Sequence, residues 1–136
     1  MQKMRECLLI DDDQDDQEIF KMCIDKVSGD INCTTMDDAP MAIAMLNANP
    51  GYIPGHIFID MNMPKMNGIE CLKVLRTMER LNATKIFMYS TTSVQSSLDE
   101  AKQSGASGFI IKPSTAPELR EILSKLFSTV PEQTGT

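Results

Sequence analysis

Short apolar runs alternate along this chain with longer segments of helical period. Cys7–Ile10 is the first run, bounded by acids. From Asp16 to Val27, Ile19, Cys23, Ile24 (or Phe20) and Val27 fall at helical spacing, and Ser28-Gly29-Asp30 is a stop signal. Ile31–Met36 alternates and carries Thr34-Thr35, which predicts a strand. Pro40 to Asn49, with Met41, Ala42, Met45 and Leu46 in phase, predicts a short helix, and the breakers from Asn49 to Gly55 predict a loop. Ile57–Ile59 is the third strand. Asn67, with Glu70 three residues on, caps a helix predicted over Gly68 to Arg80 that buries Ile69, Leu72, Leu75 and Met78. Lys85–Tyr89 is the fourth strand. Ser93 to Ser104 is a weakly apolar helix, with only Val94, Leu98 and Ala101 in phase. After the turn Gly105 to Gly108, Phe109–Ile111 is the fifth strand. Ala116 to Phe127 is the last helix, with Leu119, Ile122, Leu123, Leu126 and Phe127 on one face.

Five strands alternating with five helices predict an α/β fold: a doubly wound parallel sheet with helices on both faces. The strands are short and almost wholly apolar, as strands buried on both sides must be. Residues 1–128 make one domain, and the polar segment Thr129 to Thr136 is expected to be a frayed tail. Ligands of such sheets bind beyond the carboxyl ends of the strands, where the strand order reverses.

Four polar landmarks stand at those carboxyl ends. Asp11-Asp12 follows the first strand, Asp60 the third, Ser90 the fourth and Lys112 the fifth. Three carboxylates in one crevice repel, and at least one pKa rises unless a cation intervenes. Magnesium takes oxygen ligands and tolerates phosphate oxygens beside them. A carboxylate attacks phosphorus to give an aspartyl phosphate. Lys112 and the metal offset the incoming charge, and the Ser90 hydroxyl donates a hydrogen bond to it.

Composition narrows the alternatives. The 136 residues carry a net charge of −6, which argues against direct nucleic-acid binding. His56 is the only histidine and no two of the four cysteines form a CxxC pair, so neither a zinc site nor a Ser-His-Asp triad has support. Cys7 and Cys71 read as small core residues of a reducing compartment. No signal-peptide segment and no long apolar run occurs, so a cytoplasmic protein without membrane contact is expected.

The residues then resemble a family, the receiver domain of two-component response regulators, from about Glu6 to Phe127. Asp60, Met63, Pro64, Asn67 and Gly68 meet the phosphoacceptor pattern D-x-x-M-P-x-x-[DN]-G, Asp11 and Asp12 the acidic pair, Ser90 the Ser/Thr position, and Lys112-Pro113 the Lys-Pro pair. The spacings, 30 residues from Asp60 to Ser90 and 22 from Ser90 to Lys112, also look like the family's. The resemblance implies a flavodoxin-like strand order 2-1-3-4-5. It implies phosphoryl transfer to Asp60 from a sensor histidine kinase or a histidine phosphotransfer protein. It implies magnesium held by Asp12, Asp60 and the Asn62 backbone carbonyl, with Asp11 acting through water. Ser90 and Lys112 would bind the phosphoryl group, Phe109 would be the aromatic switch, and the Lys112-Pro113 bond would be cis. Asn62 and Thr92 lie where the family tunes the lifetime of the phosphoryl group. No DNA-binding or enzymatic segment accompanies the domain, so output is expected through an unknown downstream protein or through phosphate relay.

Two other readings compete. A phosphohydrolase of the haloacid-dehalogenase type would use Asp11 as nucleophile and Asp13 as acid, but Gln14 stands where that family wants Thr or Val. A phosphorylation-independent interaction domain would not need the acidic, hydroxyl and lysine positions that are all present.

Overall fold

A computed structural model describes residues 4–91 and 94–128. The elements run β1 (Arg5–Ile10), α1 (Gln14–Val27), β2 (Ile31–Met36), α2 (Ala39–Ala48), β3 (His56–Asp60), α3 (Gly68–Leu75), β4 (Lys85–Ser90), α4 (Gln95–Gln103), β5 (Gly108–Ile111) and α5 (Ala116–Ser128), with a 3-10 turn at Glu79–Leu81. All strand pairings are parallel, in the order β2-β1-β3-β4-β5. The doubly wound sheet expected from the alternation is therefore present, in the flavodoxin-like order that the resemblance implies. Among the described residues, no helix is long and apolar enough to cross a membrane.

The side-chain period of two divides each central strand between two cores. Leu8, Ile10, Ile57, Ile59, Ile86 and Met88 face Leu46 of α2 and Leu72 and Leu75 of α3. Cys7, Leu9, Phe58 and Tyr89 face Phe20 and Ile24 of α1 and Leu123 and Phe127 of α5. From β1 the chain steps outward to β2, then returns past β1 to β3. Strand order thus reverses beside β1, and the crevice at that reversal lies between the ends of β1 and β3.

Several local expectations shift. Helix α1 starts two residues earlier than the periodicity indicates, because Asp13 caps it by accepting from the Asp16 N–H at 3.0 Å. On α1, Cys23, Ile24 and its alternative Phe20 are all buried, whereas Ile19, expected on the same face, is exposed. Met41 is also exposed, and Ala39, Ala42 and Leu46 make the buried face of α2. Helix α3 stops at Leu75 and does not reach Arg80. The Arg76 guanidinium donates to the carbonyls of Gly105 (2.9 Å), Leu81 (2.9 Å) and Thr84 (3.0 Å), and the Thr77 hydroxyl donates to the Val74 carbonyl. These bonds tighten the chain into the 3-10 turn that buries Leu81. The Ser93 helix start and the Thr129–Thr136 tail lie outside the described residues.

The Lys112-Pro113 peptide is trans, which corrects the expectation of a cis bond. Trans is the cheaper isomer of an X–Pro bond by about 0.5–1 kcal/mol, and with it Lys112 already reaches its carboxylate partners.

Candidate functional site

Asp11 extends the β1–β2 ladder by one hydrogen bond, its N–H donating to the Met36 carbonyl at 3.0 Å. Its side chain is fully buried. One carboxylate oxygen accepts from the Asp13 N–H at 2.9 Å and the other from Lys112 Nζ at 3.0 Å. Gln17, a buried polar residue of α1, donates from Nε2 to the Asp11 carbonyl (2.6 Å) and to Asp37 Oδ1 (2.9 Å). That bridge ties the first turn of α1 and the β2–α2 loop to the end of β1. Asp12 is exposed.

Asp60 ends β3 and is 7% exposed. Its Oδ1 accepts from the Asn62 N–H at 3.3 Å. The loop beyond it is held closely: the Gly68 N–H donates to the Met61 carbonyl at 2.9 Å, and Asn67 and Glu70 form a reciprocal capping box at the start of α3. A Cβ on Gly68 would stand 2.4 Å from the Asp60 carbonyl oxygen and 2.9 Å from Met61 Cα. Glycine is needed there because α3 starts directly against the backbone that carries Asp60. Lys65 takes the left-handed conformation at φ 73°, and its ammonium pairs with Asp38 at 3.0 Å across the loop. Met61 and Met63 are buried in the core beneath this loop.

Ser90 ends β4 and is fully buried; its carbonyl accepts from the Lys112 N–H at 2.7 Å. The Lys112 ammonium lies 3.0 Å from Asp11, 2.7 Å from Asp16 and 3.9 Å from Asp60, with the Tyr89 ring centroid 5.1 Å away. Phe109 is half-buried and lines a cavity of about 230 Å³ with Leu98 and Ala101 of α4.

Single carboxylate oxygens of Asp11, Asp12 and Asp60 lie within 4.8 Å of one another. Burial pushes the Asp60 carboxyl up from its ordinary 3.8 to about 7, and the Asp11 charge adds to this against the pull of Lys112. Burial also raises Asp11, opposed by the Asp13 N–H and by Lys112. Burial by itself works to lower Lys112, but its hydrogen bonds to Asp16 and Asp11 overcome this and hold the ammonium above its usual value. Three converging oxygen donors, with one carboxyl forced upward by its surroundings, fit a hard divalent cation, which relieves that conflict.

The crevice thus brings together Asp11, Asp12, Asp60 and Lys112, with Asn62 joined through its amide and Ser90 through its carbonyl. Phe109 belongs to the wall of the α4–β5 cavity. Thr92 lies outside the described residues. Sequence reasoning missed Asp16 and Gln17. Their signal was Asp13: read as the helix cap, it puts Asp16 at the third position of the first turn, facing back toward the strand ends. Asp13 itself, exposed and engaged as the cap, is not placed as a partner acid for Asp11.

The chain matches the family model described as the response regulator receiver domain over residues 7–124. It is 32% identical over 123 residues to the chemotaxis protein CheY of Pseudomonas aeruginosa, covering 90% of this chain and 96% of that protein. Chemotaxis protein CheY-3 of Vibrio cholerae is 32% identical over 127 residues, covering 93% and 95%. Among solved structures, the phosphorylated cyanobacterial phytochrome response regulator RcpA superposes with a TM-score of 0.84 at 20% identity, covering 93% of this chain and 96% of that one, a likeness of fold. Chemotaxis protein CheY4 of Vibrio cholerae superposes with a TM-score of 0.78 at 25% identity, covering 90% and 98%.

Proposed function

The chain belongs to the response regulator receiver family as a CheY-like member, and from that membership we propose that it accepts a phosphoryl group on Asp60 and acts by partner binding or phosphate relay. Receivers of this kind are regulatory proteins of two-component signalling. The donor would be a phosphohistidine on a sensor histidine kinase or a histidine phosphotransfer protein, and the recipient of the signal a downstream protein. The observation that carries the reading is the placement of Asp60 at a strand end, within reach of two further carboxylates and 3.9 Å from the Lys112 ammonium.

In the transfer, an Asp60 carboxylate oxygen attacks phosphorus. The new P–O bond forms as the P–N bond to the imidazole breaks, and the imidazole nitrogen keeps the electron pair and takes a proton. Asp60 must be ionised to attack, and Lys112 favours that form. Asp12 and Asp60, with the Asn62 backbone carbonyl, would hold magnesium, and Asp11 would act through metal-bound water. Bound there, the ion would supply positive charge against the phosphoryl oxygens. The Lys112 ammonium pairs with one phosphoryl oxygen and the Ser90 hydroxyl donates to another. Phe109, at the cavity wall between α4 and β5, is the side chain through which the occupied site would alter the α4 surface. The haloacid-dehalogenase reading gains nothing, because both Asp11 oxygens are engaged and the residue is fully buried.

The test is incubation with magnesium and a small acyl phosphate, followed by intact mass. A phosphoryl adduct is expected on the wild type and none on Asp60→Ala. No adduct on the wild type, or an equal adduct on Asp60→Ala, overturns the proposal.

A further inference from the structure

We infer that Asp16 is a positioning residue that holds the Lys112 ammonium on the α1 side of the crevice until a phosphoryl group on Asp60 draws it across; this rests on Asp60 being the phosphoacceptor. The Lys112 ammonium divides itself unevenly among three carboxylates. Asp16 at 2.7 Å and Asp11 at 3.0 Å are hydrogen-bonded, whereas Asp60 at 3.9 Å is not. An ammonium has three protons to give, and two are committed away from the residue that reacts.

The α1 side of this arrangement is rigidly held. The Asp16 N–H is fixed to the Asp13 cap at 3.0 Å, and the next residue, Gln17, is bonded to both the Asp11 carbonyl and Asp37. Asp16 therefore presents its carboxylate from a pinned turn. The lysine has the longer stem with more rotatable bonds, and the Tyr89 ring 5.1 Å from Nζ gives the ammonium a favourable surface within the crevice. The ammonium stands 3.9 Å from the Asp60 carboxylate, beyond an ordinary charge-assisted distance of roughly 2.8 Å. The resting Asp60 carboxylate does not win this competition, because Asp16 offers the shorter bond. A phosphoryl group, with about −1.5 to −2 charges and three acceptor oxygens, does win it.

Asp16 thus sets a threshold: it opposes phosphoryl retention, and it is released when Lys112 leaves. Asp16→Asn keeps the shape and removes the charge that holds the ammonium. The adduct formed with a small acyl phosphate is then expected to persist about 3- to 10-fold longer, the scale of one partly screened charge-assisted hydrogen bond. Asp16→Glu, which restores a carboxylate, is expected to return the lifetime toward that of the wild type. A general field effect is separated from positioning by the Lys112 side-chain ammonium resonance in protein labelled with 15N-lysine, recorded without donor. Positioning requires Asp16→Asn to move that resonance and to speed exchange of its protons with water. If Asp16→Asn leaves the Lys112 resonance and exchange unchanged, or shortens the adduct lifetime, the inference is overturned. The resonance is read without phosphorylation, so it still decides on Asp16 if Asp60→Ala shows that the phosphoacceptor assignment itself has failed.

Discussion

Replacing Asp60 by Asn stabilises the folded protein at pH 8 when divalent cations are chelated. The wild-type carboxyl is 7% exposed, and burial together with the Asp11 charge raises it from 3.8 to about 7 despite Lys112 and the Asn62 N–H. The folded protein thus holds this proton more tightly than the unfolded chain. The stability linked to it is fully present below pH 3.8 and is lost as pH rises through 7. At 1.36 kcal/mol for each tenfold change in proton affinity, the full loss at pH 8 is about 4 kcal/mol, and part of it is shared with the neighbouring Asp11 carboxyl. Asparagine has the same shape and no charge, so the variant gains about 2–4 kcal/mol at pH 8. At roughly 3–4 °C of melting temperature per kcal/mol for a chain of this size, that is a rise of about 6–15 °C. At pH 4 the gap shrinks to about 0–1 kcal/mol, because the folded wild type then keeps its proton. Urea midpoints of both proteins at pH 4 and pH 8 in chelator measure the gap. Millimolar magnesium at pH 8 narrows it by stabilising the wild type. A variant no more stable than the wild type at pH 8, or a gap that does not change with pH, refutes the reasoning.

Other substitutions test what holds the site in place. Gly68→Ala puts a methyl group against the Asp60 carbonyl and Met61 Cα, neither of which is a flexible side chain. It should cost about 2–4 kcal/mol in urea unfolding and slow adduct formation on Asp60 by about tenfold or more. Gln17→Leu leaves the buried Asp11 carbonyl without its side-chain donor, with an expected loss of about 1–3 kcal/mol in the same assay. Arg76→Lys replaces a fork that satisfies three carbonyls with a single ammonium. It should cost about 1–3 kcal/mol, and hydrogen exchange should show loosening at the 3-10 turn Glu79–Leu81.

The two-faced core was readable because its rule is local. Leu8 and Ile10 part from Cys7 and Leu9 by the pleat alone, and every central strand repeats the division. The strand-end landmarks were readable for the same reason, since a polar residue closing an apolar run must emerge at the sheet edge. Period placed Ile19 on the inner face, but Phe20 lies only about 100° from it on α1, and the helix turns that larger ring inward against Phe58 and Tyr89 and leaves Ile19 exposed. Partners far along the chain were hidden. Asp16 lies in an acidic stretch that reads as a solvated face, and its meaning comes from Lys112, 96 residues later. Arg76 reads as one more polar helix residue until Gly105 and Thr84 arrive to end the helix. The trans Lys112-Pro113 bond shows a third limit, since the cis expectation came from family likeness and from no residue of this chain. The Asp16 case has a topological cause. Strand order places β3 and β4 between β1 and β5, so no short side chain at the end of β5 can reach the Asp11 carboxylate. A long flexible cation can, and which carboxylate it prefers depends on where the first turn of α1 is pinned. That turn is set by Asp13 and Gln17, which makes Asp16, more than Asp60, the residue whose role the sequence could not disclose.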